Sequence, residues 1–99
     1  MAYTKVAGSD NQTVFAGKRK LFFVKISPDA ATGDYTFDKA EAIESVVAVF
    51  AEDLTANCYS LQAAIDGTTK NKINFKLWKA GGTAADTAYL DFYVQAIGY

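Results

Sequence analysis

Histidine is missing from the 99 residues altogether. That removes the common serine and cysteine triads, histidine metal sites and the usual general base near neutral pH. Cysteine occurs once, at Cys58, so neither an internal disulfide nor a multi-thiolate zinc site can form. At the start of a strand Cys58 reads as a small buried hydrophobe rather than a nucleophile. The single proline, Pro28, ends a strand by removing a ladder donor. No apolar run approaches the ~20 residues of a membrane span. Met1 to Val6 lacks the apolar stretch of a secretory signal, so the expectation is a chain made in cytoplasm-like conditions with no membrane partner. Charge of one sign is lacking too: 10 Lys and Arg face 11 Asp and Glu, a net charge of −1. Lys18-Arg19-Lys20 is the one basic cluster, which argues against nucleic acid as a partner.

Carboxylates are the acid–base groups that remain. Glu41, Glu44, Glu52 and Asp53 surround one segment; a pair of them could serve glycoside hydrolysis or hold calcium, but no calcium-loop spacing is present and solvated surface charge is the preferred reading. Gly81-Gly82-Thr83 lacks the flanks of a phosphate loop and reads as a turn. Asn11-Gln12-Thr13 matches a glycosylation pattern by letters only. No metal or other cofactor is expected, and no enzymatic activity.

What the chain does have is apolar and aromatic residues, 51% and 14% of the whole, ample for one core and one domain. Lys72 to Lys79 alternates, with Ile73, Phe75 and Leu77 on one face and Asn74, Lys76 and Trp78 on the other. Ala88 to Tyr99 alternates again, with Leu90, Phe92, Val94 and Ala96 opposite Tyr89, Asp91, Tyr93 and Gln95. This last strand is expected to close the sheet. Lys18 to Ser27 puts Phe22, Val24 and Ile26 on one face and Leu21 and Phe23 on the other, as in a central strand or one whose second face a partner covers. Residues 27–34 read as a loop, with Gly33 free to take a positive φ. A short helix or turn at 38–43 leads into a strand at 44–52, a continuous helix being the alternative. A strand from Cys58 to Ile65 turns at Asp66-Gly67 and pairs with 72–79. The fold predicted is all-β: a small antiparallel sandwich or barrel of about five to six strands. Residues 1–17 form an N-terminal arm or an edge strand, and 18–99 the β domain.

The functional signal is aromatic. Trp78, Tyr89, Tyr93 and Tyr99 all lie opposite the predicted core, beside Lys76, Asp91 and Gln95. Such a row is an interaction surface, a platform for stacking sugars, or core beneath a second sheet. Tyr3, Val14 and Phe15 are the contacts the arm could offer to a neighbouring subunit.

The order of parts, a basic start to an apolar strand (Lys18 to Ile26), Thr32-Gly33, a strand at Ser45 to Ala51, Tyr59 to Asp66 turning into Lys72-Ile73, and a closing Ala96-Ile97-Gly98-Tyr99, resembles a group of small tailed-bacteriophage virion proteins. The match is by element order over roughly residues 14–99, and close in letters only in the final strand. The resemblance implies a non-enzymatic capsid decoration or cement protein in the virion. Its partners would be the major capsid protein or other virion proteins, and it would act as a homo-oligomer. Departures are the Glu- and Ala-rich 38–53 segment and the long arm. Alternatives are a tail, neck or fibre component, or a carbohydrate-binding module using the aromatic row.

Overall fold

The computed structural model describes residues 2–52, 60–79, 83–84 and 90–99, with 15, 16, 83 and 84 as backbone only. The chain is all-β, two antiparallel sheets packed face to face as a small sandwich. The strands are β1 (Thr4–Lys5), β2 (Asn11–Ala16), β3 (Arg19–Ser27), β4 (Thr32–Thr36), β5 (Ile43–Ala51), β6 (Ser60–Ile65), β7 (Lys72–Lys79), β8 (Thr83–Ala84) and β9 (Phe92–Gly98). The first sheet runs β1-β3-β9-β5, with β2 beside β1 along β3. The second runs β4-β7-β6, and β8 pairs with the far end of β7.

Alternation explains which residues meet. Phe22, Val24 and Ile26 from β3, Ile73, Phe75 and Leu77 from β7, and Phe92, Val94 and Ala96 from β9 are all buried in one core. Burying each such Val, Ile, Leu or Phe side chain contributes about 1.5–3 kcal/mol. The Phe75 and Phe92 rings meet edge to face across the two sheets at 5.1 Å. The final strand does more than close the sheet. It lies between β3 and β5, with Phe92↔Ile26 to Gly98↔Lys20 on one side and Phe92↔Ala51 to Gly98↔Ile43 on the other.

Several expectations need correction. Of the two states expected for 38–43, helix or turn, the turn is the one formed: the Ala40 N–H donates to the Phe37 carbonyl at 2.9 Å, and β5 begins at Ile43. The continuous helix is excluded. Residues 32–34, expected in a loop, belong to β4, which is paired from Thr32↔Lys76 to Thr36↔Lys72. Gly33 has no positive φ; its role is close approach, because a Cβ there would run into the Tyr3 ring. Gly98 is similarly constrained, since a Cβ would meet the Ala42 carbonyl.

Tyr3 is the clearest correction. Expected as an outward contact, it is 5% exposed, with Phe75 and Phe92 as ring neighbours at 6.1 and 6.0 Å. Its hydroxyl donates to the Ala30 carbonyl at 2.6 Å, and its backbone N–H donates to the Asp34 carbonyl at 2.7 Å. Residues 2–3 thereby fasten the edge of the first sheet to β4 of the second. Residues 4–5 and 11–16 line the edge of β3. Between them the Lys25 carbonyl accepts from the Val6 N–H at 2.8 Å, and the Ser9 hydroxyl, which donates to the Val6 carbonyl at 2.6 Å, takes the place of a ladder acceptor for the Lys25 N–H at 3.1 Å. An interrupted edge offers a poor template to a foreign strand.

Tyr3→Ala should lower stability by about 3–5 kcal/mol, the cost of emptying an aromatic core position. Gly33→Ala should cost about 1–3 kcal/mol by overpacking. The two should be strongly non-additive in a double-mutant cycle read by denaturant melts, because the ring that obstructs the added methyl group is gone in the double variant. Additive losses would mean that Gly33 serves something other than the Tyr3 ring.

Candidate functional site

Alternation sends two sets of side chains outward, one on each side of the sandwich. On the second sheet these are Asn74, Lys76 and Trp78 of β7, with Gln62 of β6 in register with Lys76. Trp78 is half-buried. Its Nε1 donates to Gln62 Oε1 at 2.8 Å, and Lys76 Nζ lies 4.4 Å from the ring centroid. One face of the indole is thus covered by an ammonium, a cation–π contact. A sugar stacking on that face must displace Lys76. A shallow depression beside it is lined by Thr32, Gln62, Ala64, Asn74 and Lys76.

On the first sheet the outward residues are Arg19, Leu21, Phe23 and Lys25 of β3, Tyr93, Gln95, Ile97 and Tyr99 of β9 and the residue after it, and Ser45, Ala48 and Phe50 of β5, with Glu44 and Val47 exposed at its two bulges. Register sets them in rows across three strands: Leu21–Ile97–Ser45, Phe23–Gln95–Ala48 and Lys25–Tyr93–Phe50. Phe50 is 48% exposed and Tyr93 37%, and their rings stack at 5.2 Å with a 29° interplanar angle. Lys25 Nζ lies 5.4 Å from the Tyr93 ring and 2.7 Å from Glu52 Oε1. The bond to Glu52 raises the Lys25 pKa above its ordinary value. At the other end Arg19 grips Glu44 with two hydrogen bonds, 2.9 and 3.3 Å. Both ion pairs span from β3 to β5 over the strand between them, about 10 Å at the spacing of adjacent strands.

The aromatic row therefore divides. Trp78 belongs to one outer face, and Tyr93 and Tyr99 to the opposite one, because β7 and β9 lie in different sheets. Tyr99 is separated from Tyr93 by about 20 Å of strand; Lys18 Nζ sits 6.0 Å from its ring, and its backbone N–H donates to the Ala42 carbonyl at 3.1 Å. Val14 is exposed at the margin, opposite Lys20. Tyr89, Cys58, Tyr59, Asp53, Gly81 and Gly82 lie outside the described residues, as does the side chain of Phe15. In the sequence Phe50 reads only as strand-forming, yet it is a principal exposed ring. Its signal is parity with Ala48 along β5, hidden by the two bulges of that strand.

The carboxylates are structural in their surroundings. Glu44 and Glu52 are the ion-pair partners just described. Asp10 bonds Lys5 at 2.9 Å and Lys39 at 3.3 Å, and the hydrogen bond from Lys5 is the main cause that holds its carboxyl below the ordinary value. These ions rim a small cavity of about 90 Å³ against Phe22, Tyr35 and Phe37, where burial raises the Tyr35 pKa. Among the described residues no three of His, Cys, Asp and Glu come together in a way that would hold a metal ion.

No family model matches the chain, and no curated protein or solved structure matches it.

Asp66 caps the β6–β7 hairpin. One carboxylate oxygen accepts from the Thr68 and Thr69 N–H groups at 3.0 and 2.8 Å, and the other from Asn74 Nδ2 at 2.9 Å. The backbone hydrogen bonds, Thr69 foremost, lower its pKa from 3.8 to about 2. A group depressed in the folded state stabilises above its unfolded value and loses that contribution as pH falls through the folded one. The stability advantage of the wild type over Asp66→Ala should therefore hold above about pH 4 and shrink steadily towards about pH 2. Thermal melts across that range test it; a constant gap would show that the charge on Asp66 does not matter.

Proposed function

We propose that the chain is a non-enzymatic structural protein of a tailed-phage virion, one that decorates the assembled head and cements it. The observation that carries this reading is the outer face of the first sheet. A β-sandwich of 99 residues presents stacked Phe50 and Tyr93 with Leu21, Phe23 and Ile97 alongside, on a sheet braced by two cross-strand ion pairs. Exposed aromatics on a rigid support are suited to protein contacts, where Tyr and other large rings carry much of the energy. A protein of this kind has no need of a cleft, and weak contacts repeated over a symmetric lattice sum to strong retention. The resemblance of the closing Ala96-Ile97-Gly98-Tyr99 strand and of the element order to phage virion proteins supports the same reading. The major capsid protein is the partner it implies.

Antibodies raised against the purified chain should label the heads of the phage that encodes it, seen by immunogold electron microscopy. Heads assembled without the protein should lose their DNA at a lower temperature. Label confined to the tail or neck would move the protein to that part of the particle, and an unlabelled particle would overturn the reading. A saturable glycan-induced change in Trp78 fluorescence, lost in a folded Trp78→Ala variant, would favour a carbohydrate-binding module instead.

A further inference from the structure

Aspartate followed by glycine is a chemically weak point of a protein backbone in water. The glycine nitrogen has no neighbouring side chain to shield it, so it can attack the side-chain carboxyl carbon of the aspartate and close a five-membered ring. Asp66-Gly67 is the one place in the chain where glycine follows an Asp or Asn. It lies at the turn of the β6–β7 hairpin, with Gly67 exposed. The fold does not call for glycine at this position. Gly67 has no positive φ, and a Cβ on it would meet nothing within 4 Å.

We propose that Asp66-Gly67 is a site of backbone rearrangement to isoaspartate, and that the hairpin cap holds the reaction off while the hairpin stays closed. In the first step the Gly67 nitrogen bonds to Cγ of a protonated Asp66 carboxyl. The carboxyl OH and the amide proton leave as water, and a succinimide remains. Water then opens the ring at either carbonyl. One opening returns aspartate; the other leaves isoaspartate, in which the main chain runs through the side-chain methylene and the carboxylate sits on Cα. Water is the one co-reactant, and no electron changes hands. The closed hairpin opposes the first step in two ways. Both carboxylate oxygens are held, Oδ2 by the Thr68 and Thr69 N–H groups at 3.0 and 2.8 Å and Oδ1 by Asn74 Nδ2 at 2.9 Å. The Asp66 N–H is itself fixed on the Lys72 carbonyl at 2.9 Å. Swinging Cγ onto the Gly67 nitrogen breaks the carboxylate bonds. The same donors favour the anion, whereas the reaction needs the neutral acid: lowering the pKa from 3.8 to about 2 makes the neutral form rarer by roughly tenfold or more. Rearrangement therefore belongs to molecules whose hairpin has opened locally. Once made, it disables what prevented it, because the displaced carboxylate no longer caps the turn of the hairpin that carries Phe75 into the core. The inference does not rest on the virion reading, since the chemistry needs only the chain and water.

The test incubates the full chain for several weeks in mildly acidic buffer, folded or unfolded in urea. Isoaspartate is followed by peptide mass spectrometry and by resistance at residue 66 to a protease that cuts before aspartate but not before isoaspartate. Folded wild type should rearrange at Asp66 slower than the unfolded chain by roughly tenfold or more, because unfolding removes both the hydrogen bonds and the bias towards the anion. Asn74→Ala, which releases one carboxylate oxygen, should raise the rate of the folded chain several-fold. Gly67→Ala, which the turn has room for, should slow the reaction in both states by shielding the attacking nitrogen. The isolated isoaspartate form should melt below the unrearranged chain. Should Asn74→Ala fail to fold by circular dichroism, the folded and unfolded wild type decide the matter between them. A folded wild type that rearranges as fast as the unfolded chain would overturn the proposal. So would a folded Asn74→Ala no faster than wild type, or an unfolded chain that forms no isoaspartate at residue 66.

Discussion

The structure depends on one placement: the last strand in sequence sits in the middle of a sheet. β9 is hydrogen-bonded along its length to β3 on one side and to β5 on the other. Without it β3 and β5 would not belong to the same sheet, and the first face of the core would lose Phe92, Val94 and Ala96 together. The same strand carries the site outward. Tyr93 and Gln95 hold their positions on the outer face because Phe92, Val94 and Ala96 are locked inward, one residue out of step. Core and surface are thus two readings of one register, and a slip by a single residue would exchange them.

Pairing β9 on both sides has consequences for how the chain reaches its fold. β3 and β5 are made early and must wait with an unsatisfied edge each, while the segment that joins them arrives from far along the chain. Such non-local closure is slow relative to local hairpins. The β6–β7 hairpin, by contrast, is local and carries its own turn chemistry at Asp66. It supplies Phe75, and Phe75 meets both Phe92 and Tyr3. In the folded chain the hairpin is thus the floor against which both β9 and the first residues pack.

Much of this is legible in the sequence, where alternation is regular. The inward sets of β3, β7 and β9 follow from a period of two, and so does the all-β class. What is not legible has particular causes. β5 carries bulges between Ile43 and Ser45 and between Val46 and Ala48, so its inward residues Ile43, Val46 and Val49 recur every three positions. That spacing imitates one face of a helix, and it is why a helical alternative competes with the strand. β4 is Thr-Gly-Asp-Tyr-Thr, a stretch rich in turn formers whose strand state is imposed by pairing with β7. Tyr3 looks like an arm residue because its sequence neighbours are polar; its burial depends on Gly33, thirty positions away, having no side chain. The aromatic row divides for a related reason. Parity tells which side of a strand a residue occupies, but not which sheet the strand joins.

That distinction also locates where function is to be sought. Trp78 has polar company already: Gln62 satisfies its N–H and Lys76 covers its ring, so little is left exposed for a partner to gain. Phe50 and Tyr93 stack on each other, with Lys25 beside the Tyr93 ring, and both remain exposed on a face that also carries Leu21, Phe23 and Ile97. Surface ion pairs of this sort add little to stability, yet here they occupy the ends of the apolar strip and order its flanking charges by strand. Their physical effect lies in orientation, because opposite signs on β3 and β5 give the face a direction that an apolar patch alone lacks. Adhesion from the rings and direction from the charges are separate properties. Removing the rings should therefore weaken any contact on this face, whereas reversing charges should change which partner geometry it accepts.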